Sequence, residues 1–164
     1  MTADGLRLEF LGHAGVHVRT PACALVLDAW LDPEGAFDAS WFQLPRNHHL
    51  AARDWSHLDA VCVSHEHLDH VDRGLLARMP ARAELLVPRY PSPHLARMVT
   101  ALSGRSPRAI ARGTEVALGD LRLRLWAEDP SMNQDTTWVL RAPGASAVLM
   151  VDSRMTPQQL DSIL

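Results

Sequence analysis

The sequence predicts an α/β sandwich, with sheets inside and helices outside. Two observations predict it. Short apolar runs of strand length come first, strand and helix patterns then alternate, and further strands and a final helix close the chain. The 164 residues also suffice for one domain with a real core, and 47% hydrophobic against 21% charged residues is an ordinary globular balance.

Taken in order, Leu6 to Leu11 alternates apolar and polar residues, and Gly12-His13-Ala14-Gly15 turns the chain. Val16-His17-Val18 alternates again before Pro21, and Ala24-Leu25-Val26-Leu27 is a continuous apolar strand ending at Asp28. Residues 29–56 form a long connection carrying Trp30, Phe37, Trp41, Phe42 and Trp55. A loop of that length in a compact domain is functional, disordered or partly helical, and its aromatics suit either a substrate wall or a cover for the sheet edge. Leu58 to Val63 is the next buried strand and runs directly into Ser64-His65-Glu66-His67-Leu68-Asp69-His70. A helix follows from Asp72, its N-cap, to Met79, with Leu75, Leu76 and Met79 as its apolar stripe. Glu84 to Val87 reads as a strand, and Pro93 to Leu102 as a helix stopped by Gly104. Glu115–Leu118, Leu121–Trp126, Thr137–Arg141 and Ala147–Val151 complete the strands, with a turn at Pro143-Gly144. Thr156-Pro157 opens the last helix.

Composition narrows the partners. A net charge of −3 gives no reason to expect nucleic acid or an anionic membrane, and no run of about eighteen apolar residues is present. Met1-Thr2-Ala3-Asp4-Gly5 has neither the basic nor the apolar part of a signal peptide. Cys23 and Cys62 sit in apolar runs and read as small buried hydrophobes of a reduced, cytoplasmic protein. A small-molecule substrate is the expected partner.

The nine histidines all fall between His13 and His94, leaving the last seventy residues without one. His65 and His67 alternate at a strand end, so their side chains are expected to point the same way and bind one divalent ion. Asp69 and His70 follow where the chain has turned and offer ligands to a second ion nearby. Imidazole with carboxylate suits zinc, iron or manganese, and the absence of thiolates argues against a purely structural zinc site. His13 is expected to line the pocket mouth, His17 to be structural, and His48, His49, His57 and His94 to lie on the surface.

His65-x-His67-x-Asp69-His70 after an apolar strand resembles the signature of the metallo-β-lactamase superfamily. Leu11 to Gly15 is similar to the first-hairpin turn of many members. Asp28 resembles their strand-terminal aspartate, which supports the histidine loop, with Ser64 beside it. Asp152, closing Val148-Leu149-Met150-Val151, is similar to the aspartate that bridges two metals. The resemblance spans about residues 6 to 155 and implies an αββα sandwich, a single domain over 1–164, and two divalent ions in a cleft along the sheet edges. It also assigns catalytic parts to Asp69 and Asp152.

Two departures qualify what the resemblance implies. The family places a third histidine between the cluster and the bridging aspartate, and here Glu128-Asp129-Pro130 stands in that interval. A carboxylate from Glu128 or Asp129 would fill the position and shift preference toward iron or manganese; alternatively both residues begin a turn. The substitution is similar to a small branch that includes the di-iron β-hydroxylase of the chloramphenicol pathway and the CMP-N-acetylneuraminate hydroxylase-like proteins. Members also continue to a late histidine for the second metal, whereas this chain ends twelve residues after Asp152. Either the chain is a truncated piece, or a partner segment or second copy of the chain completes the pocket, or the second metal is bound incompletely. Two enzymatic readings stay open, a metal-hydroxide hydrolase and a di-iron oxygenase. A non-catalytic metal-binding domain is the alternative from another class.

Overall fold

The computed structural model of the protein describes residues 5–126 and 136–163. In chain order the elements are β1 (Arg7–Gly12), β2 (Gly15–Thr20), β3 (Cys23–Leu27), a 3-10 segment at His48–Ala52 and β4 (Ala60–Cys62). A 3-10 turn at Leu68–His70 precedes α1 (Arg73–Arg78), β5 (Glu84–Pro88), α2 (His94–Ser103) and β6 (Arg108–Ile110). Then come β7 (Glu115–Leu118), β8 (Leu121–Trp126), β9 (Thr136–Ala142), β10 (Ala145–Val151) and α3 (Pro157–Asp161).

Two sheets form. The first has six strands in the order β1-β2-β3-β4-β5-β6, and the second is a four-stranded meander, β10-β9-β8-β7. β1, β2 and β3 pair antiparallel, whereas β3 to β6 run parallel, with α1 and α2 in the crossovers. The parallel strands are covered on both faces, which is why CALVL, AVC and ELLVP read as unbroken apolar runs. β8 shows the opposite logic. Leu121, Leu123 and Leu125 point into the core while Arg122 and Arg124 face outward, giving strict alternation.

One core lies between the sheets and includes Leu25, Leu27, Cys62, Leu86, Leu123, Trp138 and Leu140. A second packs α1, α2 and the 48–58 segment against the outer face of the first sheet through Leu58, Leu75, Leu76, Leu95 and Val99. Arg141 donates to the carbonyl of Ile163, tying the end of the α3 segment to the outer face of the second sheet. The layers are therefore helix, sheet, sheet, helix, as the α/β sandwich reading expects.

Several boundaries differ from the sequence reading. The strand expected over 58–63 contracts to Ala60–Cys62, because after Val63, whose N–H still reaches the Leu86 carbonyl at 3.0 Å, the chain leaves the sheet to form the histidine loop. β6 is new: three residues between Pro107 and Gly113 carry too short a pattern to stand out. The 29–56 connection holds the 3-10 segment and an isolated Ala36–Trp41 bridge. Its aromatics divide, with Trp30 and Trp55 buried and Phe37, Trp41 and Phe42 exposed. α2 ends as expected on Gly104, at φ 70°, a left-handed cap that glycine adopts at little cost.

Candidate metal centre

The histidine loop leaves the C-terminal end of β4, beside the end of β3. In open parallel sheets this carboxyl edge is where ligands bind. Asp28 stands just past β3 with φ 44°, and its backbone N–H donates to the Cys62 carbonyl at 3.0 Å. Its Oδ1 accepts the Ser64 N–H at 2.7 Å, so one fully buried carboxyl fixes the start of the loop. Burial pushes that carboxyl up to about 7, against the pull of the Ser64 hydrogen bond. Ser64 Oγ lies 2.9 Å from His65 Nδ1, which turns His65 Nε2 toward the pocket.

His65 and His67 do not alternate on a strand, as the sequence suggested. They lie in an irregular loop, His65 buried and His67 exposed, because the strand has already ended at Cys62. Their rings still meet, with His65 Nε2 2.9 Å from His67 Nδ1 and centroids 4.5 Å apart. The 3-10 turn then buries Asp69 and His70. Burial pushes the His70 imidazole below its ordinary range, against the opposing pull of Asp69 and Asp152.

The remaining groups come from distant parts of the chain. His13, at φ 53° in the β1–β2 turn, places Nε2 2.7 Å from Asp69 Oδ2. That turn is held from below by Asn47, whose Nδ2 donates to the Leu11 and Trp30 carbonyls. Gly12, at φ 105°, is required there, since a Cβ would lie 2.7 Å from Asn47 Nδ2. Asp152, at φ 50° after β10, brings Oδ2 to 3.5 Å from His70 Nε2 and 3.6 Å from His65 Nε2. Asp69 Oδ2 is likewise 3.6 Å from His70 Nε2. Glu128 and Asp129 lie outside the described residues.

These side chains fit a metal. Two sets, His13–Asp69–His70 and His65–His70–Asp152, each offer ligand atoms within 4.8 Å of one another and share His70. Both ring nitrogens of His70 and Asp69 Oδ1 are buried without a hydrogen-bond partner, which costs free energy unless something else satisfies them. The 3.5–3.6 Å separations are too long for good hydrogen bonds. They are close to the edge, about 3.3–3.6 Å, of a tetrahedron with bonds of about 2.0–2.2 Å.

Two residues that the sequence did not single out, Tyr90 and Thr136, position this centre together with Trp30 of the long connection. Tyr90 donates its hydroxyl to the Ser64 carbonyl at 2.7 Å and lies 2.7 Å from Thr136 Oγ1, linking the histidine loop to the second sheet. Trp30 is buried and meets the His13 ring edge-on at 5.2 Å. A lone Tyr after Arg89 and a Thr at a strand start carry no motif. Only the folded sheets bring them together. The opening above the centre is a cavity of about 510 Å³ lined by His13, Phe37, Trp41, His67, Asp69 and Asp152. Phe37 and Trp41 pack edge-to-face at 5.5 Å across the Ala36–Trp41 bridge.

The family model described as the beta-lactamase superfamily domain matches residues 24–162, and the chain belongs to that family. Over 94 residues the chain is 38% identical to the "Putative Rieske 2Fe-2S iron-sulfur protein" of Mycobacterium tuberculosis H37Rv, covering 55% of this chain and 17% of that protein. A protein of Mycolicibacterium smegmatis with the same description is 38% identical over 96 residues, 56% of this chain and 18% of that one. The chain thus spans about a sixth of these curated relatives. Among solved structures, CmlA, a diiron beta-hydroxylase from Streptomyces venezuelae, superposes with a TM-score of 0.70 at 19% identity. That match covers 99% of this chain and 32% of CmlA. Igni18, a metallo hydrolase from Ignicoccus hospitalis, gives 0.60 at 19% identity, covering 94% of this chain and 64% of that one.

Proposed function

We propose that this chain is the metal-holding domain of a di-iron oxygenase that hydroxylates a small molecule. The single observation that carries the metal reading is the buried His70, whose ring nitrogens lack a hydrogen-bond partner although Asp69, Asp152 and His65 surround it. In this reading His65, His67 and a carboxylate from Glu128 or Asp129 hold the first ion. Asp69 and His70 hold the second, with His13 against Asp69, and Asp152 lies between the two.

Iron is favoured by the ligand set. No histidine follows His94, so the third position on the first ion falls to a carboxylate, a harder donor that suits iron or manganese better than three imidazoles do. The likeness to a diiron hydroxylase supports the same direction. Bound iron would supply dioxygen activation. Hydroxylation consumes dioxygen, two electrons and two protons, leaving one oxygen in the product alcohol and one in water. A separate [2Fe–2S] centre, of the kind named for those relatives, is the class of electron donor this balance needs.

The chain's own residues have definite work in this account. Asp28, Ser64 and Tyr90 hold the histidine loop in register. Phe37 and Trp41 form an apolar wall that excludes water and contacts the substrate. A partner segment or a second copy of the chain closes the open side of the pocket. Metal analysis of protein purified without added metal is the test. Near-stoichiometric iron with an optical band that responds to peroxide or oxygen supports the reading, and Glu128→Ala or Asp129→Ala then lowers the iron content. Zinc alone, with esterase or phosphodiesterase turnover, overturns it in favour of the hydrolase that the likeness to Igni18 suggests. In that case metal-activated water is the nucleophile and Asp69 orients it.

A further inference from the structure

A second histidine cluster lies on the outer face of the first sheet, beneath Trp55 and apart from the pocket. β1 and β2 place Glu9 directly opposite His17, and Glu9 Oε2 is 3.0 Å from His17 Nδ1. The His17 side chain is completely buried, with the Trp55 ring edge-on at 5.4 Å. Arg53 donates to the other Glu9 oxygen at 2.8 Å and lies over Trp55, 4.9 Å from the ring centre. The Arg53 guanidinium, and then His17, hold the Glu9 carboxyl down at about 2, so it is ionised and can only accept. His17 Nδ1 therefore carries the proton, which leaves Nε2 as an acceptor. It takes a long hydrogen bond from His57 Nε2 at 3.3 Å, with the rings inclined at 61°. Trp55 also meets the His57 ring, with centroids 6.1 Å apart and the planes at 28°.

We propose that His17 Nε2 and His57 Nε2 form an open site for a divalent ion of the imidazole-preferring class, copper, nickel or zinc. Two nitrogens bound to one tetrahedral ion at about 2.0–2.1 Å stand about 3.3 Å apart, so zinc could replace the hydrogen bond with neither ring moving, and a closing of about 0.5 Å reaches the square-planar edge that copper and nickel prefer. Glu9 plays the orienting carboxylate that fixes a ligating imidazole's tautomer. Arg7, Arg19 and Arg53 flank the hairpin and repel any cation, so affinity here has to come from direct bonds to the two imidazoles, with Glu9 as the one opposing charge. Among the described residues no third side chain completes a cluster here, so the other coordination positions are open to water or an added ligand. Such an ion would clip the 48–57 segment onto the β1–β2 hairpin.

The site is independent of the oxygenase reading, and its test is arranged to keep the two apart. The full chain carrying His65→Ala and His70→Ala is titrated with Cu²⁺ and followed by EPR. One equivalent with hyperfine coupling to two imidazole nitrogens is expected, and His57→Gln in the same background removes it. His57 is exposed, so that substitution leaves the fold intact by circular dichroism. Glu9→Gln is expected to weaken binding about 10- to 100-fold. In the unsubstituted protein, zinc should shift the Nε2 resonances of His17 and His57 in long-range ¹H–¹⁵N spectra. No such shift, or a copper equivalent and hyperfine pattern unchanged by His57→Gln, overturns the proposal. An unchanged affinity in Glu9→Gln overturns the orienting role.

Discussion

Asp28 shows how much of the pocket rests on residues that bind nothing themselves. Its buried Oδ1 is the acceptor for the Ser64 N–H, so Asp28→Ala leaves that donor orphaned, at a cost of about 1–3 kcal/mol in urea denaturation. Asp28→Asn keeps an acceptor and tolerates the left-handed φ of 44°, so most of the stability should return. Tyr90→Phe should cost about 0.5–1.5 kcal/mol per lost hydrogen bond and lower metal affinity, because the Ser64 carbonyl loses its tether to the second sheet. Residues of the first kind were legible in the sequence, since Asp28 ends an apolar run and His65 to His70 form a compact motif. Tyr90, Thr136 and Asn47 were not. Their partners are 26, 46 and 36 positions away, and no local pattern records a contact made across sheets. His17 and His57 failed for a related reason: each reads alone as a structural or surface histidine, and only the hairpin register and the return of the 48–57 segment set their nitrogens face to face.

At the scale of elements, Asp72 is the most economical junction in the fold. The sequence marks it as the N-cap of α1, and its Oδ1 does accept the Leu75 N–H at 2.6 Å. Its Oδ2 also accepts the Leu31 N–H at 2.6 Å, fastening the start of the long connection to the helix. Asp72→Ala therefore removes two acceptors from buried donors and should cost more than an ordinary cap, about 2–4 kcal/mol in urea denaturation. Asp72→Asn, which keeps one acceptor, should fall between. Strand and helix identities were readable wherever a run was long enough for its period to show, as in LRLRLW or the α2 sequence. β6 was too short to show, and β4 was overread because an apolar run does not reveal where the backbone leaves the sheet. The loop over 36–41 is equally opaque: Phe37, Asp38 and Ala39 all take positive φ, a choice made by the Ala36–Trp41 bridge rather than by residue preference.

For the whole molecule, the two sheets seal the thiols between them. Burial pushes Cys23 up to about 12 and Cys62 well above the ordinary thiol range. A thiol whose folded value lies above the unfolded one contributes stability that is complete below about pH 9 and is lost as pH rises from there through about 12. Alkylation by iodoacetamide at pH 8 should accordingly wait for unfolding, and the denaturation midpoint should fall on the alkaline side. The sandwich also explains why the pocket is legible in two different ways. His65 to His70 sit together as a motif, whereas Asp152 and His13 are readable only through the family resemblance, because they reach the motif only once β1–β2 and the end of β10 are packed at the same edge of the fold. Metal content of the intact protein and its His70→Ala variant, both purified without added metal, tests the account most directly. The account predicts near-stoichiometric metal in the first and loss of at least one equivalent in the second, with circular dichroism unchanged. Equal metal content in both proteins would contradict it.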